Sequence, residues 1–173
     1  MLAYHDEEWG VPIHDDAELF ERLALESFQA GLSWQTILNK REAFRAAFRG
    51  FDPATVAAFG DGDRARLMAD AGIVRNGAKI DATNENARVL LGLAAEFGSF
   101  DAYLRSKVPG PAATLSRTAV GGSIPATTPV SDALSVDLKR RGMRFVGSTI
   151  VYSFMQSVGL VDDHLPGCFR YRG

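Results

Sequence analysis

Residues 25–34 read LESFQAGLSW and connect two predicted helices through a short turn. Glu26 lies in an apolar helical stretch, Gly31 predicts the end of that helix, and Ser33 is a candidate N-cap for the next one. Trp34 follows the cap and is expected at the surface. A carboxylate in an apolar wall beside an indole suits a flat, cationic ring that donates hydrogen bonds, such as a methylated nucleobase.

Helical signals continue on both sides of this turn. Asp15 and Glu18 match a capping box for the helix that ends at Gly31, and Asp52-Pro53 predicts a later helix start. Apolar residues at helical spacing predict further helices at 63–70, 78–97, 100–104, 131–141 and 148–158. No stretch alternates with the period of a strand. The sequence therefore predicts an all-α protein with a single helical domain over residues 1–173.

Residues 107–129 differ from the rest of the chain because Pro, Gly, Ser and Thr dominate them. This composition predicts a loop. A loop of this length inside a compact domain is uncommon and often functional.

Composition excludes several classes of protein. The chain has 173 residues, 46% of them hydrophobic, and a net charge of −2. It is therefore not a basic nucleic-acid coat, and any DNA contact must come from a local patch. A single Cys excludes a disulfide framework and suits a reducing compartment. The first residues do not read as a signal peptide and no apolar run is long enough to span a membrane, so we expect a cytoplasmic protein.

Residues 138–149 read LKRRGMRFVGST and connect the last two predicted helices. Gly147 is expected to let the backbone bend tightly, and the N–H groups of Gly147, Ser148 and Thr149 to be free at the helix start, where they could bind phosphate. Arg144 would add positive charge, together with Lys139, Arg140 and Arg141. The alternative is a charged helical hairpin with a solvated face.

Candidate metal ligands occur near both ends of the sequence. His164 and Cys168 have a spacing that could offer two ligands to one ion, and His5 could be a third. The alternative is a buried, hydrogen-bonded histidine and an inert cysteine.

These motifs together resemble the 3-methyladenine DNA glycosylase I family of the helix-hairpin-helix superfamily. The strings that carry the resemblance lie at residues 4–12, 29–34, 70–75, 131–135, 145–147, 152–156 and 163–164. The resemblance implies a helical bundle with an active-site cleft and no significant sheet. It also implies a helix-hairpin-helix unit at about 131–158, with the N- and C-terminal segments close together.

The resemblance further implies hydrolysis of the N-glycosidic bond of N3-methyladenine in alkylated double-stranded DNA, with the base flipped out and released as 3-methyladenine. Glu26 would be the catalytic residue and would accept hydrogen bonds from the base, and Trp34 would stack on it. Tyr4 and Trp9 match the other base-binding positions. Gly31 and Leu32 match the tip that enters the duplex. No catalytic cofactor, membrane or obligate protein partner is expected.

The same resemblance implies a structural zinc ion. His5, His164 and Cys168 match three of the family's four ligands. The fourth, a Cys near the family's N-terminus, has no counterpart in this sequence, and an aromatic residue of the same segment is also missing.

Alternatives remain open at this stage. Glu26 could be a rim residue at a helix end, and Trp9 and Trp34 could be core residues. The chain could be a non-catalytic helix-hairpin-helix module that binds damaged or distorted DNA, or, with less support, a metal-dependent hydrolase using His5 and His164. No lysine occurs in the presumed pocket strings, so we expect a monofunctional glycosylase without a Schiff-base step.

Overall fold

The computed structural model describes residues 2–108 and 124–171, and these ranges consist of helices and turns without a β-strand. The predicted all-α class is therefore confirmed for the described part of the chain. The helices are α1 (Leu2–Glu7), α2 (Asp16–Gln29), α3 (Trp34–Ala47), α4 (Pro53–Ala57), α5 (Asp61–Ala69), α6 (Gly77–Phe97), α7 (Phe100–Lys107), α8 (Pro129–Arg140) and α9 (Ser148–Ser157).

Side-chain caps begin several of these helices where the sequence predicts them. Asp15 accepts hydrogen bonds from the amides of the first turn of α2 at 3.0 Å. Ser33 accepts from the amide of Thr36 at the start of α3, and Asp52 caps α4, with Pro53 at its first position. Each cap satisfies an amide that has no partner inside its helix.

One helix and several boundaries differ from the predictions; among the boundaries, α5 begins at Asp61 and not at residue 63. Helix α1 was not predicted, because six residues without a cap give no local signal. Helix α7 extends to Lys107 and not to residue 104. Helix α8 begins at Pro129, because Thr128 is the cap and Ser131 completes a capping box with it. Of the predicted loop, residues 109–123 lie outside the described residues, and 124–128 are non-helical.

Helix α2 is the central helix of the fold. Every residue from 19 to 28 is buried, and α2 packs against α3, α6, α7 and α9. Phe28 meets the ring of Phe44 with centroids 4.7 Å apart, and Phe48 and Phe51 stack behind them. Because α2 is enclosed on all sides, its polar residues lie in apolar surroundings and must be paired or serve another purpose.

The N-terminal segment is fixed across α2 and α3 by ion pairs. Glu8 accepts hydrogen bonds from Arg22 on α2 at 2.5 Å and from Arg41 on α3 at 2.6 and 3.0 Å. Burial works to raise the pKa of Glu8, but the hydrogen bonds from the two guanidinium groups lower it below its ordinary value. The backbone of Ile13 bonds to Val158, so this segment also runs along the end of α9.

None of the helices in residues 2–108 and 124–171 combines the length and the apolar character that crossing a membrane requires.

Candidate active site

A cleft of about 320 Å³ opens between α1, α2, α3 and α9. The four residues predicted to bind a base all line it, although they come from three separate parts of the sequence. The lining side chains are Tyr4, His5, Trp9, Glu26, Gln29, Trp34, Ser153 and Gln156.

Glu26 is the buried acid of this cleft, with 7% of its surface exposed. Within the described part of the chain its carboxyl group makes no side-chain hydrogen bond. Burial raises its pKa to about 8, and the nearby charge of Arg22 opposes that rise. The group therefore carries a proton for much of the time at neutral pH and would ionise when a cation enters the cleft. This position is not the rim of a helix end.

Arg22 lies one helical turn before Glu26 and connects the acid to the aromatic wall. Its guanidinium Cζ lies 5.3 Å from the centre of the Tyr4 ring, and one nitrogen donates to Glu8. The other terminal nitrogen, Nη1, is buried and has no hydrogen-bond partner among the described residues. Arg22 thus supplies a buried counter-charge close to the cleft.

Tyr4 and Trp34 form the aromatic wall. Their ring centroids are 5.5 Å apart and the ring planes are inclined by 54°. Trp34 is half-buried: one part of it packs on the core and another part lines the cleft. It is therefore both a core residue and a candidate base-binding residue. The Tyr4 hydroxyl and Trp34 Nε1 are buried polar atoms without a partner in the described ranges. Burial also raises the pKa of Tyr4 above its ordinary value, so the phenol stays neutral.

Three lining residues were not predicted: Gln29, Ser153 and Gln156. The last two lie three residues apart on α9, a spacing that puts them on one helix face. Gln156 donates from Nε2 to Asp163 at 2.7 Å, and the hydroxyl of Tyr152 donates to the same carboxylate oxygen. A carboxylate can only accept, so Asp163 fixes the orientation of the Gln156 amide.

The two acids that follow α9 are both engaged in hydrogen bonds and do not line the cleft. Asp162 bonds to the backbone N–H of His164 and to its Nδ1 at 2.6 Å, and Asp163 is 3% exposed behind Gln156. Neither acid is therefore placed to act as a general base on a water molecule in the cleft.

His5, His164 and Cys168 converge at the edge of the cleft, with one ligand atom from each lying within 4.8 Å of the others. Cys168 Sγ is 3.6 Å from His5 Nε2. Tetrahedral zinc with one sulfur and one nitrogen ligand separates them by roughly the same distance, given bonds of about 2.3 and 2.0 Å.

The orientation of both histidines also fits a metal. Each imidazole bonds a carboxylate through Nδ1, His5 to Asp6 at 2.8 Å and His164 to Asp162, which leaves Nε2 for an ion. His164 Nε2 is buried without a partner among the described residues. Tetrahedral zinc takes a fourth ligand, whereas in the described ranges only these three side chains converge.

Trp9 belongs to this histidine cluster as much as to the cleft. Its ring lies edge-on to His164 with centroids 4.7 Å apart and stacks on His5 at 6.0 Å. Any ion held by the histidines would therefore also fix one wall of the cleft.

The tip between α2 and α3 projects from the surface. Gly31 and Leu32 are exposed, Leu32 to 40%. The amide of Leu32 donates to the Gln29 carbonyl at 2.7 Å, and the Gln29 side chain donates back to the Leu32 carbonyl at 2.8 Å. Gly31 has a φ of +85°, a backbone conformation that residues other than glycine rarely adopt.

Residues 141–147 connect α8 to α9, and the prediction for Gly147 is wrong in one respect. Gly147 has an ordinary extended backbone with φ −62°, whereas Gly142 and Phe145 have positive φ and make the bend. Gly147 is nevertheless the N-cap of α9 without a side-chain cap bond, and a Cβ there would meet none of the described residues within 4 Å. Within residues 2–108 and 124–171, nothing therefore covers the helix start above this glycine.

The basic residues near the hairpin are mostly paired with acids. Arg140 and Arg141 bond to Asp137, Arg141 also bonds to Glu96 at 2.7 Å, and Arg144 lies 3.2 Å from Glu85. The Ser148 hydroxyl donates to Asp132 and meets that of Ser131, while Thr149 is exposed. The positive patch is weaker than the sequence suggests, because neighbouring carboxylates offset most of it.

Comparisons with known proteins agree with this geometry. The family model described as methyladenine glycosylase matches residues 1–171. DNA-3-methyladenine glycosylase 1 of Escherichia coli K12 is 49% identical over 172 residues, covering 99% of this chain and 91% of that protein. The DNA-3-methyladenine glycosylase of Haemophilus influenzae is 44% identical over 167 residues, covering 96% and 90%.

Solved structures agree as well. The structure of 3-methyladenine DNA glycosylase I from Staphylococcus aureus, which describes the basis of 3-methyladenine recognition, matches with a TM-score of 0.90 at 40% identity. The match covers 97% of this chain and 89% of that one.

Proposed function

The chain belongs to the methyladenine glycosylase family, and from this premise we propose that it excises N3-methyladenine from alkylated double-stranded DNA. The observation that supports this most strongly is the buried acid Glu26, which has no side-chain partner among the described residues and lies in a cleft walled by Trp34. A buried carboxyl group without a hydrogen-bond partner lowers the stability of the fold. Such groups occur at binding sites, where the ligand supplies the missing partner.

Capture of the base follows from these two groups. N3-methyladenine in DNA carries a positive charge, so stacking against Trp34 gains a cation–π interaction of about 0.5–2 kcal/mol. Glu26 accepts hydrogen bonds from the edge of the ring and ionises as the cation approaches. An undamaged adenine is neutral and gains neither benefit. Flipping any base out of the duplex costs a few kcal/mol, so this difference favours the damaged one.

The protein does not have to protonate the leaving group, because the methylated purine is already a cation. The bond between the sugar carbon C1′ and N9 breaks, its electron pair neutralises the purine, and 3-methyladenine leaves. Water then adds to C1′ and releases a proton to solvent. Glu26 stabilises the positively charged ring and sugar electrostatically. No lysine is among the described residues that line the cleft, so water and not an amine is the nucleophile and the DNA strand stays intact.

Two surfaces outside the cleft serve DNA binding in this proposal. Leu32 and Gly31 enter the space that the flipped base leaves. The α8–α9 unit acts as a helix-hairpin-helix, in which the amides of Gly147, Ser148 and Thr149 hold a phosphate and Arg144 moves from Glu85 to the DNA backbone. Such contacts position the duplex without reading its sequence.

Zinc is proposed as a structural ion held by His5, His164 and Cys168. The proposal rests on the three convergent ligand atoms, the carboxylate behind each imidazole and the unpaired Nε2 of His164. The ion would join the two chain ends and so hold Trp9 at the cleft. It would take no part in hydrolysis, so a chelator should lower stability before it lowers the chemical step.

The test is release of free base from methylated duplex DNA. With enzyme in excess, chromatography should detect 3-methyladenine, and denaturing electrophoresis should show unbroken strands. Tight, salt-sensitive DNA binding with every glycosidic bond intact would instead support a non-catalytic module. Loss of release on replacing Glu26 with Gln, with duplex binding retained, would assign the excision to the cleft.

A further inference from the structure

Lys79 is a buried cation that the proposed mechanism does not use. It lies in the first turn of α6 with 7% of its surface exposed. Its ammonium group donates to the carbonyls of Phe28 at 2.9 Å and Ala30 at 2.7 Å. These carbonyls end α2, where the helix leaves acceptors without partners and carries partial negative charge. Lys79 therefore fixes the base of the Gly31–Leu32 tip.

Asn86 makes a second long-range connection from the same helix. Its side-chain amide donates to the Arg144 carbonyl at 2.9 Å, and its carbonyl oxygen accepts from the Arg144 amide at 2.8 Å. Asn86 is 3% exposed, and among the described residues its side chain bonds to the backbone of the hairpin turn. A paired donor and acceptor of this kind fixes both the position and the orientation of the turn.

The two connections lie on one face of α6. Lys79 and Asn86 are seven residues apart, which is two helical turns and about 10 Å along the axis. Thr83 lies between them, is also buried, and bonds its hydroxyl to the Lys79 carbonyl at 2.8 Å. Thr83 bonds within its own helix, whereas Lys79 and Asn86 bond to the ends of the two proposed DNA-contacting surfaces.

We propose that α6 is a strut that sets the separation between the Gly31–Leu32 tip and the hairpin turn, with Lys79 and Asn86 as its positioning residues. The inference rests on the proposed function. The tip must enter the duplex at the damaged nucleotide while the hairpin holds a phosphate a fixed distance away. A tip that can shift relative to the hairpin loses that register, since misplacement by about 1 Å can cost a factor of 100 in rate.

Replacing Lys79 with Met removes the ammonium group and keeps the length of the side chain. Lys40→Met is a matched control, because Lys40 donates to the carbonyls of Ala71 and Gly72 at 3.2 and 3.1 Å, away from the tip. The readout is fluorescence of 2-aminopurine placed opposite a tetrahydrofuran abasic site in a duplex, which rises when the tip displaces that base. Binding to the single strand, which needs no tip, is measured in parallel.

The strut predicts that Lys79→Met binds the duplex about tenfold more weakly and loses most of the fluorescence rise, whereas single-strand binding and the Lys40→Met control stay within about twofold of wild type. Equal losses on duplex and single strand, or no loss, would overturn it. Circular dichroism establishes that each variant is folded.

Asn86→Leu tests the other end independently and decides the matter if Lys79→Met does not fold. Its matched control is Asn84→Leu, since Asn84 lies on the same helix but bonds the carbonyls of Val56 and Phe59. Asn86→Leu should reproduce the duplex-specific loss. The double variant should lose little more than either single one, because α6 no longer connects the two surfaces once one end is broken, while the bond from Ser27 to the Phe145 carbonyl is present in every variant. Fully additive losses would mean two local effects and would contradict the proposal.

These measurements use binding and not excision. A wild-type protein that raises the fluorescence but releases no base would contradict the proposed function, and the variants and their controls would still decide on the strut. A wild-type protein that releases base without a fluorescence rise would contradict the strut and leave the proposed function supported.

Discussion

Gly10 leaves the space that the imidazole of His164 occupies. A Cβ added at Gly10 would lie 2.8 Å from His164 Cε1, closer than real Cβ contacts, and Gly10 has a φ of +76°. His164 is held from its other side by Asp162, and its buried Nε2 has no hydrogen-bond partner in the part of the chain that the structure describes. The position of a candidate zinc ligand therefore depends on the absence of a side chain at Gly10.

Gly10→Ala should displace His164 and so weaken binding of the proposed zinc ion. We expect metal analysis to find much less than one zinc per chain, and the melting temperature to fall by about 5 °C or more. Gly50→Ala is the matched control, since Gly50 has a φ of +68° but open space around its Cβ. The Gly50→Ala variant should bind as much zinc as the wild type, and any fall in its melting temperature measures the effect of backbone strain alone. Equal zinc in wild type and Gly10→Ala would remove His164 from the proposed ligand set.

Glu26→Gln should stabilise the fold, and the gain in stability should grow as the pH rises. Burial raises the pKa of Glu26 from 4.5 to about 8, so the folded state keeps a proton that the unfolded state releases. The stability from this protonated group is complete below pH 4.5 and is lost as the pH rises toward 8. Gln is neutral throughout. Urea unfolding should show little difference at pH 4.5 and a gain on the order of 2–4 kcal/mol at pH 8. A variant less stable than wild type at pH 8 would contradict the burial argument.

The same pKa predicts how excision depends on pH. Ionised Glu26 attracts the cationic base, so kcat/KM for the wild type should rise from pH 6 and level off above about pH 8. Glu26→Gln should be slower and lack this rise. Single-turnover release of 3-methyladenine between pH 6 and 9 measures both profiles. A flat wild-type profile would mean that Glu26 is already ionised in the free protein.

Gly147→Ala separates DNA binding from stability. The backbone of Gly147 is one that alanine adopts, and a methyl group there meets none of the described residues within 4 Å, so the free energy of unfolding should change by less than about 1 kcal/mol. The methyl group would nevertheless lie over the open start of α9. We expect duplex affinity to fall about tenfold at low salt, with a smaller salt dependence, roughly by the slope of one phosphate. Unchanged affinity would place the phosphate contact elsewhere.

Local sequence signals predict much of this fold. Asp15, Ser33 and Asp52 identify helix starts because a cap acts on amides two or three residues away, and the structure has all three. The four residues expected around the base could be predicted because the sequence strings that contain them are distinctive. The structure places all four on one cleft. Helix α1 gives no such signal, since Tyr4 and His5 hold it through contacts with residues far away in the sequence, such as Trp34 and Cys168.

Long-range pairing could not be predicted from the sequence. Lys79 and Asn86 appear only as polar residues in a helical pattern, and their partners lie about 50 to 60 residues away. The hairpin bends at Gly142 and Phe145. Phenylalanine rarely adopts positive φ, so the sequence favours Gly147 as the second bend residue, and that prediction is wrong. Bonds from Ser27, Asn86 and Ser135 to residues 144–146 hold that conformation.

The most direct test of the central claim is a crystal structure of the protein soaked with free 3-methyladenine. The account predicts the base in the cleft between α2 and α3, with its face on the indole of Trp34 and its hydrogen-bonding edge within about 3 Å of the Glu26 carboxyl group. A base bound elsewhere, or bound in the cleft without contact to Glu26, would contradict it.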